Sequence, residues 1–276
     1  MKLHQIVKQS AQRLKCNIGK AIGLLFLLSF AYFTVLLVEQ VISMVLKPTL
    51  INPDMTMNFS GNTLLITLIP LSLYFILVKP FLLNVKGWNY KLVTEDVPLQ
   101  EAVNYFGTWK SYWRAVWYSL IKSIIITLIY VGLLVPVMAL LVALRVQIEV
   151  QGEVLGLLFA ILFLLTGVFF LLAVVYATYI TIGFFFADYI YVSEISTKPF
   201  TAFRISFQIA KNKKGSILVL WLAMLPLFLF SCFVLPAIIC IPLINLIFAF
   251  YAKDRIANYF TAKNELDSSI EIERVG

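Results

Sequence analysis

Long apolar runs alternate with short amphipathic and basic segments along the whole chain. Several runs exceed the roughly 18 apolar residues that indicate a membrane-spanning helix, whereas a β-barrel would alternate apolar and polar positions. The pattern therefore predicts an all-α, polytopic transmembrane helical bundle. The predicted spans number six and cover residues 19–46, 63–85, 116–144, 154–187, 216–233 and 235–252.

Amphipathic segments precede pairs of these spans, at residues 3–14, 98–109 and 199–210. Their apolar residues recur at helical spacing, as Phe200, Phe203 and Phe207 do. Such segments are typical of helices that lie in the membrane surface, and we expect them on the cytoplasmic side. Their spacing fits a threefold repeat of a helix-plus-hairpin unit, and it fits equally well six spans with even loops.

The spans are expected to form a single transmembrane domain over residues 1–252, followed by a polar cytoplasmic tail at 253–276. The apolar run 154–191 is too long for one straight span and barely long enough for two, since each needs about 20 residues. We favour one tilted span that continues past the membrane surface near Gly183. The apolar start of the chain is interpreted as a retained first span rather than a cleaved signal peptide.

Composition excludes a water-soluble globule. The chain has 61% apolar and 13% charged residues, whereas soluble domains have about 45–50% and about 25%. The net charge of +8 lies mostly in the links between spans, which favours a membrane topology signal over nucleic-acid binding. Placing both termini and the two middle links on one side collects 20 of the 22 Lys and Arg residues, all but Lys47 and Arg145. This asymmetry predicts a multi-pass protein of the cell membrane with both termini cytoplasmic.

Catalytic and metal-binding motifs are missing from the sequence. Its one histidine, His4, lies in the first amphipathic segment, and Cys16, Cys232 and Cys240 have no metal-ligand spacing. No nucleophile, P-loop or paired-carboxylate motif is present. We therefore expect a protein without enzymatic activity and without a cofactor or bound metal.

Charged residues inside or near the spans are the candidates for a transport pathway. Glu39, Lys79, Lys122 and Asp188 each fall near a predicted span end, which favours snorkelling or capping over a pathway. Prolines inside the apolar runs predict kinks, either for packing or around a pathway. Polar residues such as Thr178, Thr181 and Asn245 are interpreted as interhelical hydrogen-bond partners rather than ligand contacts.

The densest basic cluster follows the third amphipathic segment. Its candidate lipid or partner contacts are Arg204, Lys211, Lys213 and Lys214. Lys and Arg near an anionic membrane surface contribute about 1 kcal/mol each, so anionic lipid head groups are the expected partners, with other membrane proteins as a second class. The same cluster also serves as a topology signal, and we favour that interpretation.

The run FFFADYIYVSEISTKPFTAFRISFQIAKNKKG and the closing segment IPLINLIFAFYAKDR carry a family resemblance. The chain resembles bacterial six-span membrane proteins related to the membrane domain of glycerophosphoryl diester phosphodiesterases. The matching positions are Asp188, Ala202, Ser206, Lys214 with Gly215, Pro242, Tyr251 and Arg255. The resemblance implies a six-span fold in a bacterial inner membrane. It implies no catalysis, because no phosphodiesterase domain is attached.

The sequence leads to three hypotheses about function. The first is a non-enzymatic membrane scaffold or accessory subunit that contacts anionic lipids. The alternative is a transporter or channel for a small solute or a lipid. A further alternative is protection against membrane-active peptides.

Overall fold

A computed structural model describes residues 3–46, 61–150, 153–193, 197–211 and 213–275, and these residues are almost entirely helical, with no strand among them. Lys47, which enters the charge count, lies outside the described residues. The α-helices are α1 (Leu3–Leu46), α2 (Gly61–Leu73), α3 (Lys79–Leu92), α4 (Trp109–Val150), α5 (Glu153–Thr181), α6 (Ala187–Ser193), α7 (Pro199–Lys211), α8 (Lys214–Phe230) and α9 (Val234–Val275). A π-helical turn (Tyr74–Val78) joins α2 to α3, and two 3-10 helices cover Leu99–Gly107 and Ile182–Phe184.

Among the described residues, five helical stretches are long and apolar enough to cross a membrane. They are Leu3–Val45, Thr67–Leu92, Trp109–Val146, Ala160–Ser193 and Pro236–Glu265. The number becomes six if α7 and α8, which meet at a bend of 87°, are counted as one broken span. The expectation of a helical protein with several helices that could span a membrane is therefore confirmed, while the count of six remains a prediction.

The first amphipathic segment and the first span form one helix. α1 runs through both and bends at Asn17, whose backbone angles (φ −120°, ψ 19°) leave the helical region. The apolar side chains of the amphipathic part, Ile6 and Leu14, are buried in the protein core. The sequence pattern therefore located an amphipathic helix, but its apolar face packs against protein rather than against lipid.

The π-helical turn has a direct cause in the sequence. Proline has no backbone N–H, so Pro80 cannot donate to the carbonyl of Ile76 four residues earlier. The chain responds with a wider turn, in which the N–H of Lys79 donates to the carbonyl of Tyr74. The Ile76 carbonyl accepts a hydrogen bond of 2.9 Å from the Tyr112 hydroxyl of α4 instead. A backbone group without a partner is costly where water is scarce, so this bond ties α4 to the proline-broken helix.

Tyr112→Phe is expected to lower the free energy of unfolding by about 1 kcal/mol, because it removes the hydroxyl that satisfies the Ile76 carbonyl. Denaturation in detergent micelles measures this change. Tyr176→Phe is the matched control, since Tyr176 is exposed on α5. Equal stability of the two variants would show that the Tyr112 hydroxyl does not compensate for Pro80.

The buried core is formed by residues from several helices. It includes Trp88 of α3, Tyr118 of α4, Phe186, Ala202 of α7 and Ile247 of α9. Farther along, α4 and α5 pack mainly on each other and expose leucine, isoleucine, valine and phenylalanine side chains. Apolar surface of this extent is unfavourable in water and suits the hydrocarbon of a bilayer.

Helix α7 corrects the interpretation of the phenylalanine face. Phe203 is buried against Tyr118 and Phe184, and the Phe207 ring packs edge-on against Phe184 at 4.7 Å. Phe200, by contrast, is 65% exposed. The face predicted to lie in the membrane surface is therefore mostly a contact with the protein's own core, because helical spacing marks an apolar face without showing what covers it.

Gly183 permits this close approach of α7. A Cβ atom at this position would overlap the Phe207 ring. The buried Ser206 hydroxyl also donates a hydrogen bond of 2.6 Å to the Gly183 carbonyl. These contacts fix α7 against the 3-10 turn at which α5 ends, close to the point where the sequence placed the membrane surface.

The second and third amphipathic segments differ from the first in form. Residues 98–109 contain the 3-10 helix Leu99–Gly107, which is anchored to α3 because the Asn84 amide donates to the Ala102 carbonyl. Residues 199–210 form an α-helix that is sharply bent from the next one.

Residues 253–275, expected as a polar tail, continue α9 as helix. The threefold repeat remains a prediction.

Candidate functional site

Asp188 is a buried carboxylate in the first turn of α6. Its side chain is 8% exposed. An ionised carboxylate at such a position is strongly unfavourable unless charged and hydrogen-bonding partners surround it. The fold supplies these partners from two other helices.

Two lysines and one tyrosine share the Asp188 carboxylate. The Lys122 ammonium group lies 2.6 Å from Oδ1, and the Lys86 ammonium group lies 2.5 Å from Oδ2. The Tyr118 hydroxyl donates a hydrogen bond of 2.9 Å to Oδ1. The carboxylate therefore holds α3, α4 and α6 together by charge-assisted bonds, and its acceptor capacity is largely used.

Close packing brings these partners within reach. Gly87 of α3 lies so near α6 that a Cβ there would be 3.2 Å from the Cβ of Val192. Tyr118 and Tyr191 stack with ring centroids 4.0 Å apart and fix α4 against α6. The lysines on α3 and α4 consequently face the Asp188 carboxylate from two sides.

A cavity of about 390 Å³ opens beside these charges. We call it the lysine cavity; it is lined by Lys79, Leu82, Leu83, Lys86, Tyr118, Ser119, Lys122, Ser123, Ile126 and Asp188. The lining contains three lysines and one aspartate, which gives it a formal charge of +2. An excess of positive charge in a partly enclosed site favours the binding of an anion.

Two lining groups lack a counterpart in the part of the chain that the structure describes. Lys79 has no carboxylate partner there, and its ammonium group lies 5.4 Å from the centre of the Tyr74 ring. Ser119 is 6% exposed and has no hydrogen-bond partner among the described residues, although it lines the cavity. A hydroxyl in the cavity lining and a lysine without a carboxylate are groups that can bind an anion.

An apolar groove adjoins the lysine cavity. It has a volume of about 670 Å³ and lies between the α2–α3 junction and α4. Its lining is Leu71, Ser72, Phe75, Ile76, Trp113, Val116, Trp117, Leu120, Ser123, Ile124, Thr127 and Leu128. Ser123 lines both spaces, so the groove and the cavity share a wall at this residue.

The basic cluster expected to contact lipid or a partner lies elsewhere. Arg204, Lys211 and Lys213 are exposed, and the Lys214 ammonium group lies 4.0 Å from the centre of the Tyr179 ring. None of these four residues lines the lysine cavity. Their role in lipid or partner contact stays a prediction.

The residues considered for a transport pathway divide into two groups. Lys79, Lys122 and Asp188 come together at the lysine cavity, so the span-end interpretation misses their common site. Glu39 is exposed on α1 and is not among the lining residues. Lys86 was not singled out from the sequence, although its separation of seven residues from Lys79 places both on one helix face.

The polar residues of the membrane helices are mostly engaged with other protein groups. The hydroxyls of Thr178 and Tyr130 are 3.3 Å apart, and Thr181 donates to the Thr178 carbonyl. Asn245 lines a cavity of about 20 Å³, a space for roughly one water molecule. Thr178 of α5 therefore contacts Tyr130 of α4, as expected of an interhelical partner, whereas the hydrogen bond of Thr181 stays within α5.

Comparisons with known proteins add no assignment: no protein-family model, curated protein or solved structure matches the chain. Within the described residues, no group of three or more His, Cys, Asp and Glu side chains is placed to hold a metal ion. The lysine cavity is therefore the feature from which a function can be argued.

Proposed function

We propose that this chain is a non-enzymatic membrane scaffold or accessory subunit that binds an anionic lipid head group in the lysine cavity. The observation that carries the proposal is the combination of Lys79, Lys86 and Lys122 around a single carboxylate. In this proposal the protein crosses the cell membrane six times with both termini in the cytoplasm, as the distribution of Lys and Arg favours.

Electrostatics supports an anionic ligand over a neutral or cationic one. Lys122 and Asp188 neutralise each other at 2.6 Å, and Lys86 shares the same carboxylate. This leaves positive charge at Lys79 and Lys86 that an anion can compensate through short, charge-assisted hydrogen bonds. Lipid phosphates are the anions that a membrane supplies at high local concentration.

The same geometry supports a binding role over a catalytic one. A general base needs an available acceptor atom, and Asp188 already accepts bonds from two lysines and Tyr118. The remaining polar groups of the lining are ammonium groups and hydroxyls, which can hold an anion by charge and hydrogen bonds.

Removal of two cavity lysines tests this proposal. In the variant Lys79→Gln with Lys86→Gln, Asp188 keeps Lys122 and Tyr118 as partners. We expect anionic phospholipid that co-purifies with the protein from native membranes to fall by about tenfold, since two charge-assisted contacts are lost. Quantitative lipid analysis of the purified protein provides the measurement.

The matched control is Lys211→Gln with Lys213→Gln, which removes the same charge from the exposed basic cluster. It should retain anionic lipid as the unaltered chain does. Equal lipid loss in both variants would show that bulk charge, rather than the cavity, holds the lipid. Unchanged retention in the cavity variant would contradict the proposed function.

A transporter for a small solute or lipid is the second candidate. The buried pair of Lys122 and Asp188 favours it, because charges within membrane helices often mark a transport path. Substrate flux into liposomes that depends on Lys79 and Lys86 would support the transporter. Lipid retention that depends on these lysines without flux would support the scaffold.

A further inference from the structure

We propose that the ligand is a phospholipid ending in a phosphate monoester, with its phosphate in the lysine cavity and an acyl chain in the adjoining apolar groove. This inference rests on the proposed function and specifies its ligand. It is carried by the position of a cationic cavity next to an apolar groove, with Ser123 in the lining of both.

Charge selects the head group. A phosphate monoester carries about −1.5 to −2 charges at pH 7, which matches the formal charge of +2 on the cavity lining. A phosphodiester lipid carries one negative charge and leaves part of the lysine charge uncompensated. A zwitterionic lipid adds a cation, which the three ammonium groups repel.

Hydrogen bonding selects the same head group. A phosphate monoester offers three terminal oxygen acceptors, and the cavity lining includes three residues that can donate to them, Lys79, Lys86 and Ser119. The hydroxyl or ammonium groups of a larger head group would instead need acceptors. The one carboxylate of the cavity, Asp188, is already shared by Lys86, Lys122 and Tyr118.

The groove selects a lipid rather than a free phosphate. Its lining is almost entirely apolar, and Phe75, Leu120 and Ile124 illustrate the surface available to an acyl chain. Trp113 and Trp117 also line it, and tryptophan is enriched where the acyl region meets the head groups. A chain attached to a phosphate in the cavity can pass Ser123 and continue along the groove.

Native mass spectrometry of the purified protein, titrated with four ligands, tests the inference. They are dioleoyl phosphatidic acid, dioleoyl phosphatidylglycerol, the zwitterionic reference dioleoyl phosphatidylcholine and water-soluble glycerol 3-phosphate. We expect phosphatidic acid to bind about tenfold more tightly than phosphatidylglycerol, because its phosphate monoester makes one more charge-assisted contact. Glycerol 3-phosphate should fail to compete, because it has no acyl chain to make the apolar contacts in the groove.

Ile124→Trp fills the groove and leaves the lysines unchanged. It should weaken phosphatidic acid binding by about tenfold, whereas Leu140→Trp, at an exposed α4 position outside the groove, should not. If Ile124→Trp aggregates on size exclusion, Leu128→Trp, another groove position, replaces it.

Each part of the inference has its own contradicting result. Equal binding of the two lipids would overturn the phosphate monoester and leave the proposed function intact. Effective competition by glycerol 3-phosphate, or equal binding by the groove and control variants, would overturn the acyl-chain assignment. Binding of neither anionic lipid above dioleoyl phosphatidylcholine would overturn the inference and the proposed function together.

Discussion

Asp188→Ala is expected to lower the free energy of unfolding by about 3–5 kcal/mol, because it leaves a buried ammonium group without its counter-charge. The side chain of Lys122 is 18% exposed, and its ammonium group lies 2.6 Å from the lost carboxylate. The substitution also removes the acceptor of the Tyr118 hydroxyl bond. One change therefore disrupts the contacts that join α3, α4 and α6.

Unfolding in mixed detergent and dodecyl sulfate micelles measures this loss. The control is Lys91→Ala, which breaks the exposed ion pair with Glu101 and should cost about 0–1 kcal/mol. Adding Lys122→Met to Asp188→Leu should recover much of the stability, since an apolar replacement of a buried ion pair is often tolerated. Similar losses in Asp188→Ala and Lys91→Ala would show that Asp188 is not held in a buried network.

Trp88→Ala is expected to destabilise the protein by about 3–5 kcal/mol, the range for removing a buried aromatic side chain. Trp88 is 2% exposed, and its indole N–H donates a hydrogen bond of 3.2 Å to the Pro98 carbonyl. With Leu24 of α1 and Asn245 of α9 it lines the same small cavity, so it packs where three helices meet. Its loss opens a void at that junction.

The same unfolding assay applies to Trp88→Ala. The matched control is Trp221→Ala, because Trp221 is exposed on α8 and such positions change stability by about 0.5 kcal/mol or less. The core described above would be contradicted if the two tryptophan variants were equally stable. Trp88→Phe should lie between Trp88→Ala and the unaltered chain, since it keeps part of the apolar surface but loses the N–H.

Hydropathy was sufficient to predict the fold class, because a membrane helix must carry a long continuous apolar surface. It was less informative about how the ends of the helices are built. Prolines inside the apolar runs predict kinks, but no sequence pattern shows that the Tyr112 hydroxyl donates to the Ile76 carbonyl, which Pro80 leaves without a backbone donor. That bond depends on where α4 lies, which no local pattern contains.

Amphipathic spacing had a comparable limit. It identified one apolar face that contains Ile6 and Leu14 and another that contains Phe203 and Phe207. A bilayer and a protein core both cover apolar side chains, so the spacing could not distinguish them. In the structure the core covers Ile6, Leu14 and Phe203 completely or nearly so.

The sequence identified single residues of the candidate site, but not that they lie together. Lys79, Lys122 and Asp188 could be named as charges near span ends, but each alone had an ordinary explanation. Their significance comes from lying around one cavity with Lys86, and Asp188 is 66 residues from Lys122 along the chain. Contacts across such separations depend on tertiary packing, including the close approach at Gly87.

Structure determination of the protein in nanodiscs containing an anionic phospholipid tests the central claim most directly. We expect phosphate density within about 3 Å of the Lys79 and Lys86 ammonium groups, the distance of a charge-assisted hydrogen bond. A lysine cavity closed by protein side chains, or phosphate density confined to the exposed cluster around Lys211 and Lys213, would contradict the account.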